Sequence, residues 1–272
     1  MLLKKCIAPV ILLLSLLCSC AYEENIFQEP KGTSDKVTKV TFDGITIQDT
    51  LVFNYEADKI TSVNWCTFMA GASAGCLVGY SEIRRYNDIG KLDSVGGRWH
   101  VSYVYENGLR KKTTAFLNNQ FHSTTTFLEY AGIYPSKIKV EFPNGEVNVV
   151  DLTFNASGDL IRKSIKNGND VLLEDVLVEY TNIENPLHGM IETPAYAVLF
   201  FGFDDFVFYH SKHVPETIVT DYTHENPVYP KNQTIHYNSV LNALGNLVSA
   251  KAFRTIDDRR YDMHSIFISY GK

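Results

Sequence analysis

From about residue 36 onward the chain repeatedly alternates apolar and polar positions, as in Val101-Ser102-Tyr103-Val104-Tyr105. A period of two sends successive side chains to opposite faces of a pleated strand, so such runs predict strands with two unlike faces. The runs break at short polar stretches: Asn87-Asp88-Ile89-Gly90, Glu106-Asn107-Gly108 and Ala156-Ser157-Gly158-Asp159. Asn, Asp and Gly supply the positive-φ or side-chain-bonded positions that a tight reversal needs. An aliphatic residue then restarts the alternation, as at Ile60, Leu92, Leu109, Ile138 and Leu160. The phrase is a β-hairpin signature.

It recurs along the whole chain. The aromatic residue of each unit falls at Tyr55, Tyr86, Tyr105, Tyr130, Phe154, Tyr180, Tyr209, Tyr237 and Tyr270, at spacings of 19 to 33 residues. Repetition of one supersecondary unit predicts a mainly β fold. It would be a large antiparallel meander of about 14–18 strands, with its hairpin tips stacked along one edge. Open twisted sheets rarely exceed about ten strands, so this one must curl, close or be covered. A closed transmembrane barrel needs an outward apolar band on every strand. Lys137 and Lys139 flank Ile138, and Arg162, Lys163 and Lys166 follow Leu160, so charges fall on positions of both parities. The expected architecture is therefore an open or half-closed barrel-like sheet.

One segment departs from the pattern. Eight of the nine residues from Ala195 to Phe203 are apolar. Thr193 as N-cap and Pro194 at the first helical position predict a short helix near 194–202, able to plug the concave face of the sheet. A buried strand is the alternative.

The first residues change the picture of where the molecule resides. Lys4 and Lys5 precede an apolar run from Ile7 to Leu17, too short to span a bilayer as a helix and typical of a secretory signal. Leu17-Cys18-Ser19-Cys20 resembles a bacterial lipobox, which makes residues 1–19 a lipoprotein signal peptide and Cys20 the lipidated N-terminus. Several buried acyl chains anchor a protein in effect permanently. Residues 20–35 are polar, contain Pro30 and Gly32, and read as a flexible tether. Residues 36–272 then form a single repeat-built β domain. Glu23 and Glu24 resemble the acidic export signal of some surface lipoproteins, or are a solvated charge pair. No Asp follows Cys20, so the outer membrane is the expected location, with surface and periplasmic exposure both open.

Charge narrows the partners. Lys4 and Lys5 are the only charges in residues 1–19, so the remainder carries 23 basic and 31 acidic residues, a formal net charge of −8. That argues against nucleic acid, whose binding depends on Lys and Arg at the phosphates. Two cysteines, Cys66 and Cys76, remain once the signal and the lipidation site are set aside. An oxidising compartment and the small residues between them suit a disulfide, with two buried thiols as the alternative.

The serial Tyr-Asn-x-x-Gly-Lys-Leu phrase resembles YD-type repeats. Together with the lipobox, residues 180–189 (YTNIENPLHG), the apolar insert and residues 208–218 (FYHSKHVPETI), it resembles more closely DUF4595, a family of exported lipoproteins described as porin-like. The resemblance implies a half-barrel-like antiparallel sheet with a helical insert. It implies no activity.

Candidate chemistry is sparse. Gly71-Ala72-Ser73-Ala74-Gly75 sets a serine between glycines, but no strand-turn-helix pattern surrounds it, so it reads as a flexible loop and not a nucleophile elbow; there is no His-Glu-x-x-His helix or Walker loop. His210 and His213 stand beside Asp204 and Asp205, but on a strand a three-residue spacing sends two imidazoles to opposite faces, so no metal site is expected. No cofactor or catalytic residue is indicated. Trp65 and Trp99 either form a stacking platform for sugars or fill the packed face of the sheet. Two function classes follow. One is an anchored binding module for a glycan or protein; the other is a structural or accessory lipoprotein packing against an envelope assembly. A hydrolase would need two carboxyls converging across a groove, which 31 scattered acids do not reveal.

Overall fold

The computed structural model describes residues 36–44, 47–69, 76, 78–190, 207, 210–223, 232–256 and 259–271. Sixteen strands occupy them. The first eight are β1 (Lys36–Gly44), β2 (Ile47–Glu56), β3 (Lys59–Met69), β4 (Val78–Tyr86), β5 (Leu92–Gly96), β6 (Trp99–Glu106), β7 (Leu109–Leu117) and β8 (Gln120–Ala131). The second eight are β9 (Tyr134–Glu141), β10 (Val147–Phe154), β11 (Leu160–Asn167), β12 (Leu172–Glu184), β13 (His213–Tyr222), β14 (Asn232–Leu241), β15 (Leu247–Ile256) and β16 (Arg259–Gly271). Every strand pairs antiparallel with its chain neighbours, and β1 pairs with β16 to close a barrel. That last pairing brings Lys36 opposite Gly271.

The strand count agrees with the repeat reading, but the sheet is closed where an open or half-closed one was expected. Closure and lipid embedding are separate matters, and the charges of both parities bear only on the second. Inward charges are paired: Lys163 Nζ, wholly buried, lies 2.7 Å from Glu174. Outward charges are wet. Arg162 makes a two-point contact with Asp175 at 2.9 Å, Lys137 reaches Glu129 and Asp151 at 4.0 and 3.9 Å, and Lys139 meets Glu141 at 3.1 Å. A Lys or Arg facing lipid at mid-membrane costs about 2–4 kcal/mol. These outward faces suit water, and the barrel closes to remove its own edges.

Alternation explains the interior. Val40, Leu51, Val63, Ile138, Val150, Val176, Ile218, Ile235 and Ile266, one from each of nine strands, are almost fully buried in one cluster. A smaller cluster of Leu92, Val95, Val101, Tyr103 and Ala115 lines β5–β7. The connection from β12 to β13 also contributes, since Leu187, Met190 and Val207 are buried in the main cluster. The helix expected near 194–202 lies outside the described residues. Just beyond it Val207 and His210 are helical, and Ser211 N–H donates to the Val207 carbonyl at 3.1 Å.

The repeated phrase builds one rim of the barrel. Asn87, Asn155 and Asn242 each exchange backbone bonds across a five-residue loop, while their side-chain oxygens accept the N–H of Lys91, Asp159 and Asn246. The fourth residue must take positive φ, +80° at Gly90, where a Cβ is disfavoured. Each loop joins an even strand to the following odd one, so the tips encircle one end rather than line an edge. No turn at this end joins β1 to β2, β3 to β4 or β5 to β6. Tyrosine supplies the link there: Tyr55 Oη donates to the Val37 carbonyl at 2.8 Å, Tyr86 to Ile60 at 2.8 Å and Tyr105 to Leu92 at 2.9 Å. Tyr130 bonds Arg110 in the same way, Tyr180 bonds Leu160 at 2.7 Å, and Tyr270 bonds Leu247 at 2.7 Å. The residue before the accepting aliphatic is Lys36, Lys59 or Lys91, whose ammonium stands 5.2, 5.1 and 5.6 Å from the ring of Tyr55, Tyr86 and Tyr105. Where the full phrase occurs, as at Tyr86, Gly90, Lys91 and Leu92, the four residues thus have four distinct tasks.

Candidate functional site

At the rim opposite the tips, aromatic side chains on four strands and one turn form an arc. Trp65 on β3 and Tyr80 on β4 are directly paired across the ladder, and their rings stack with centroids 5.7 Å apart and 9° between planes. Arg98, in the β5–β6 turn, places its guanidinium 6.0 Å from the Tyr80 ring. Trp99 follows it in sequence and meets His122 of β8 edge-on at 5.0 Å. His122 in turn meets Phe142, just past β9, at 6.3 Å.

The local sequence explains how the arc forms. Trp65 lies two residues from the buried Val63, and Trp99 two from the buried Val101, so both rings point inward. Gly97 lets the β5–β6 turn lie against β4. Its φ is +144°, and a Cβ there would stand 2.4 Å from the Ser81 carbonyl. Without that approach Arg98 would not reach Tyr80.

Polar groups flank the rings. Thr67 Oγ1 donates to Asp49 Oδ1 at 2.6 Å beside the Trp65 pair. Glu82 shares the inward face of β4 with Tyr80, and burial holds its carboxyl above the usual range, with Arg84 pulling the other way. Burial also raises the Tyr80 phenol and lowers the His122 imidazole, so all three are shifted towards their uncharged forms. Chemically, the arc offers π-faces for stacking, with hydrogen-bonding groups beside them.

Both tryptophans are half-buried. Trp65 packs on the main core cluster and Trp99 on the smaller one, so each braces the interior with one part and remains accessible in another. The two rings do not touch; Tyr80 and Arg98 join them. Sequence patterning did not single out Tyr80, Arg98, His122 or Phe142. The available signal was position, because all four lie within three residues of a strand end on the far rim.

Other residues singled out from sequence fall elsewhere. Cys20 lies outside the described residues, as do Asp204 and Asp205. Cys66 and Cys76 are joined by a disulfide, with Cα atoms 5.5 Å apart. Among the described residues, which include His210 and His213 but not the two aspartates, no group of three His, Cys, Asp or Glu could hold a metal. His213 instead serves the tip rim. Asp159 Oδ2 meets its Nδ1 at 2.8 Å and Asp159 Oδ1 accepts its backbone N–H at 2.8 Å. Asn185 Nδ2 donates to the Ser211 carbonyl at 2.9 Å, and Asn185 N–H to that of Lys212 at 2.8 Å. The Ser211 hydroxyl lies 2.7 Å from Tyr180 Oη. Serine, histidine and aspartate are thus close together, but the serine is spent on tyrosine, and the cluster clasps the two ends of the β12–β13 connection.

Neither a family model nor a curated protein matches the chain in sequence, so membership of DUF4595 is not shown. Solved structures do match. A porin-like protein from Bacteroides uniformis superposes with a TM-score of 0.59 at 13% identity, covering 86% of this chain and 96% of its own. A porin-like protein from Bacteroides vulgatus does so at 0.52 and 15% identity, covering 87% and 99%. At such identities the likeness is one of fold: this chain has the barrel architecture of those porin-like proteins over nearly its whole described length.

Proposed function

We propose that the protein is an outer-membrane-anchored lipoprotein whose barrel acts as a binding module, taking a glycan on the far-rim arc. The observation that carries this reading is the run Trp65–Tyr80–Arg98–Trp99–His122–Phe142, half-buried except at the exposed Arg98 and placed at the rim opposite the one where β1 begins. Sugar rings present apolar C–H faces that stack on aromatic planes and hydroxyls that pair with groups such as Asp49 and Thr67. The lipobox at Cys20 supports the anchor, and the porin-like fold is in keeping with an envelope protein.

Titration calorimetry of residues 21–272 against a panel of neutral and acidic oligosaccharides tests it. A ligand is expected whose affinity falls at least tenfold in both Trp65→Ala and Trp99→Ala, each variant keeping its thermal transition. Binding that ignores both substitutions, or no binding across the panel, would sink the glycan reading.

A second reading has one observation in its favour. His100, Phe116 and Phe121 form an outward ring cluster near the same rim, with centroids 6.1 and 5.9 Å apart, and Phe121 is exposed. It suits an accessory lipoprotein packed against an envelope protein. Loss of partner co-purification in Phe121→Ser, with glycan binding untouched, would favour it.

A further inference from the structure

The most exposed large hydrophobic side chains among the described residues are Ile89, 72% accessible, and Leu244, 77%. Both occupy the third position of an Asn-x-x-Gly loop, Asn87-Asp88-Ile89-Gly90 and Asn242-Ala243-Leu244-Gly245. The bonds within these loops fix the apex, so neither side chain has the option of folding back onto the barrel. The equivalent position of the third such loop is Ser157, the polar residue a solvated apex ordinarily carries.

A single exposed aliphatic residue is commonplace. The placement of these two is more telling. Both tips lie on the same rim, separated by the four strands β16, β1, β2 and β3 on one side and by eight on the other. The strand on which the chain enters the barrel, β1, lies inside the shorter arc. Lys36, its first residue, sits at that rim and meets Asp58 of the adjoining tip at 2.8 Å. Lys36 lies sixteen positions after Cys20, and a random-coil chain of that length spans about 20–24 Å. An anchor at Cys20 therefore holds this arc, with an apolar fingertip at either end, within a short reach of the bilayer.

Charge decides what sort of contact this is. Lys36, Lys59 and Lys91 along the arc are offset by Glu56, Asp58 and Asp88. No net positive patch selects anionic headgroups, which leaves insertion of the two aliphatic side chains as the source of contact.

We propose that the short arc of the tip rim rests on the bilayer that holds the anchor, with Ile89 and Leu244 entering the interface, so that the aromatic arc faces away from the membrane. The proposal rests on the lipid anchor put forward above, and its partner is a lipid surface.

Full-length, lipidated protein on phosphatidylethanolamine/phosphatidylglycerol vesicles provides the test. An environment-sensitive label is carried in turn by Ile89→Cys, Leu244→Cys and, on the far rim, Val171→Cys. Blue-shifted emission and quenching by brominated lipid are expected at positions 89 and 244, unchanged in high salt, with neither at 171. Vesicle-bound protein whose labels at 89 and 244 stay as aqueous as that at 171 would overturn the proposal while leaving the anchor standing. Quenching at 171 alone would overturn it by reversing the orientation. Wild-type protein that fails to bind vesicles any better than Cys20→Ser would end the anchor reading and this one with it.

Discussion

Tyr86 Oη donates to the Ile60 carbonyl at 2.8 Å, tying the hairpin tip at residues 87–91 to the tip before it, while Lys59 stands over the same ring. This link is the structural reason for the repeated phrase, because it joins strands at the end where no turn does. Tyr86→Phe keeps the ring and removes the donor. It should lower stability by about 1 kcal/mol, the net worth of one such bond. Urea titration should show a lower midpoint at unchanged slope. Phe154 occupies the same place in its own unit and stacks on Tyr134 at 4.9 Å, so Phe154→Tyr should gain little. Equal stability of wild type and Tyr86→Phe would show that the link contributes nothing.

The Lys163–Glu174 pair predicts a non-additive cycle. Lys163 is completely buried and its ammonium lies 2.7 Å from the carboxylate. Lys163→Met strands a largely buried charge and should cost about 3–5 kcal/mol. The double variant Lys163→Met/Glu174→Leu should recover most of that loss, because two apolar groups need no partner. Chemical denaturation of the three variants measures it. A double variant as unstable as the single one would mean that the pair is favourable in its own right.

Acid should act at the tip rim. Burial pushes the His188 imidazole down to about 4, with Lys212 adding to the effect and Asp159 opposing it. Between pH 6.5 and 4 the unfolded chain accepts a proton at this position that the folded chain refuses. The stabilisation is complete above pH 6.5 and is lost as pH falls towards 4, by up to about 3 kcal/mol. His210, pushed down to about 3 by burial, adds in the same sense. In His188→Gln the melting temperature should therefore depend less steeply on pH over this window. An unchanged slope would rule out His188 as the titrating group.

Gly97 offers a test of the arc that leaves every ring in place. Gly97→Ala puts a Cβ 2.4 Å from the Ser81 carbonyl at a φ of +144°. The turn must lift off β4 and carry Arg98 from Tyr80, at a cost of about 1–3 kcal/mol. Ligand affinity should fall with it, and Arg98→Ala should show the affinity loss without the stability loss. Calorimetry and thermal melts on both variants separate the two effects.

The alternation and the tip residues carried most of the architecture in the sequence. Asn87, Gly90, Lys91 and Leu92 act locally, through turn bonds, φ and strand restart, so their meaning is readable from neighbours a few residues away. Strand number followed, within the expected range. Closure did not, because the Lys36–Gly271 pairing depends on the accumulated twist and stagger of sixteen strands, which no local pattern records. The both-parity charges argued against a lipid-facing wall but were silent on whether the wall closed on itself.

The candidate site was half legible. Trp65 and Trp99 stand out as the two tryptophans, and their period-two spacing from buried valines points them inward. Their membership of one arc depends on Tyr80, Arg98, His122 and Phe142, spread over sixty-three residues of sequence and brought to one rim by strand register. A side chain's face is set by its own strand, since the pleat has a period of two. Its neighbours on that face are set by how the strands align, a property of the closed barrel as a whole.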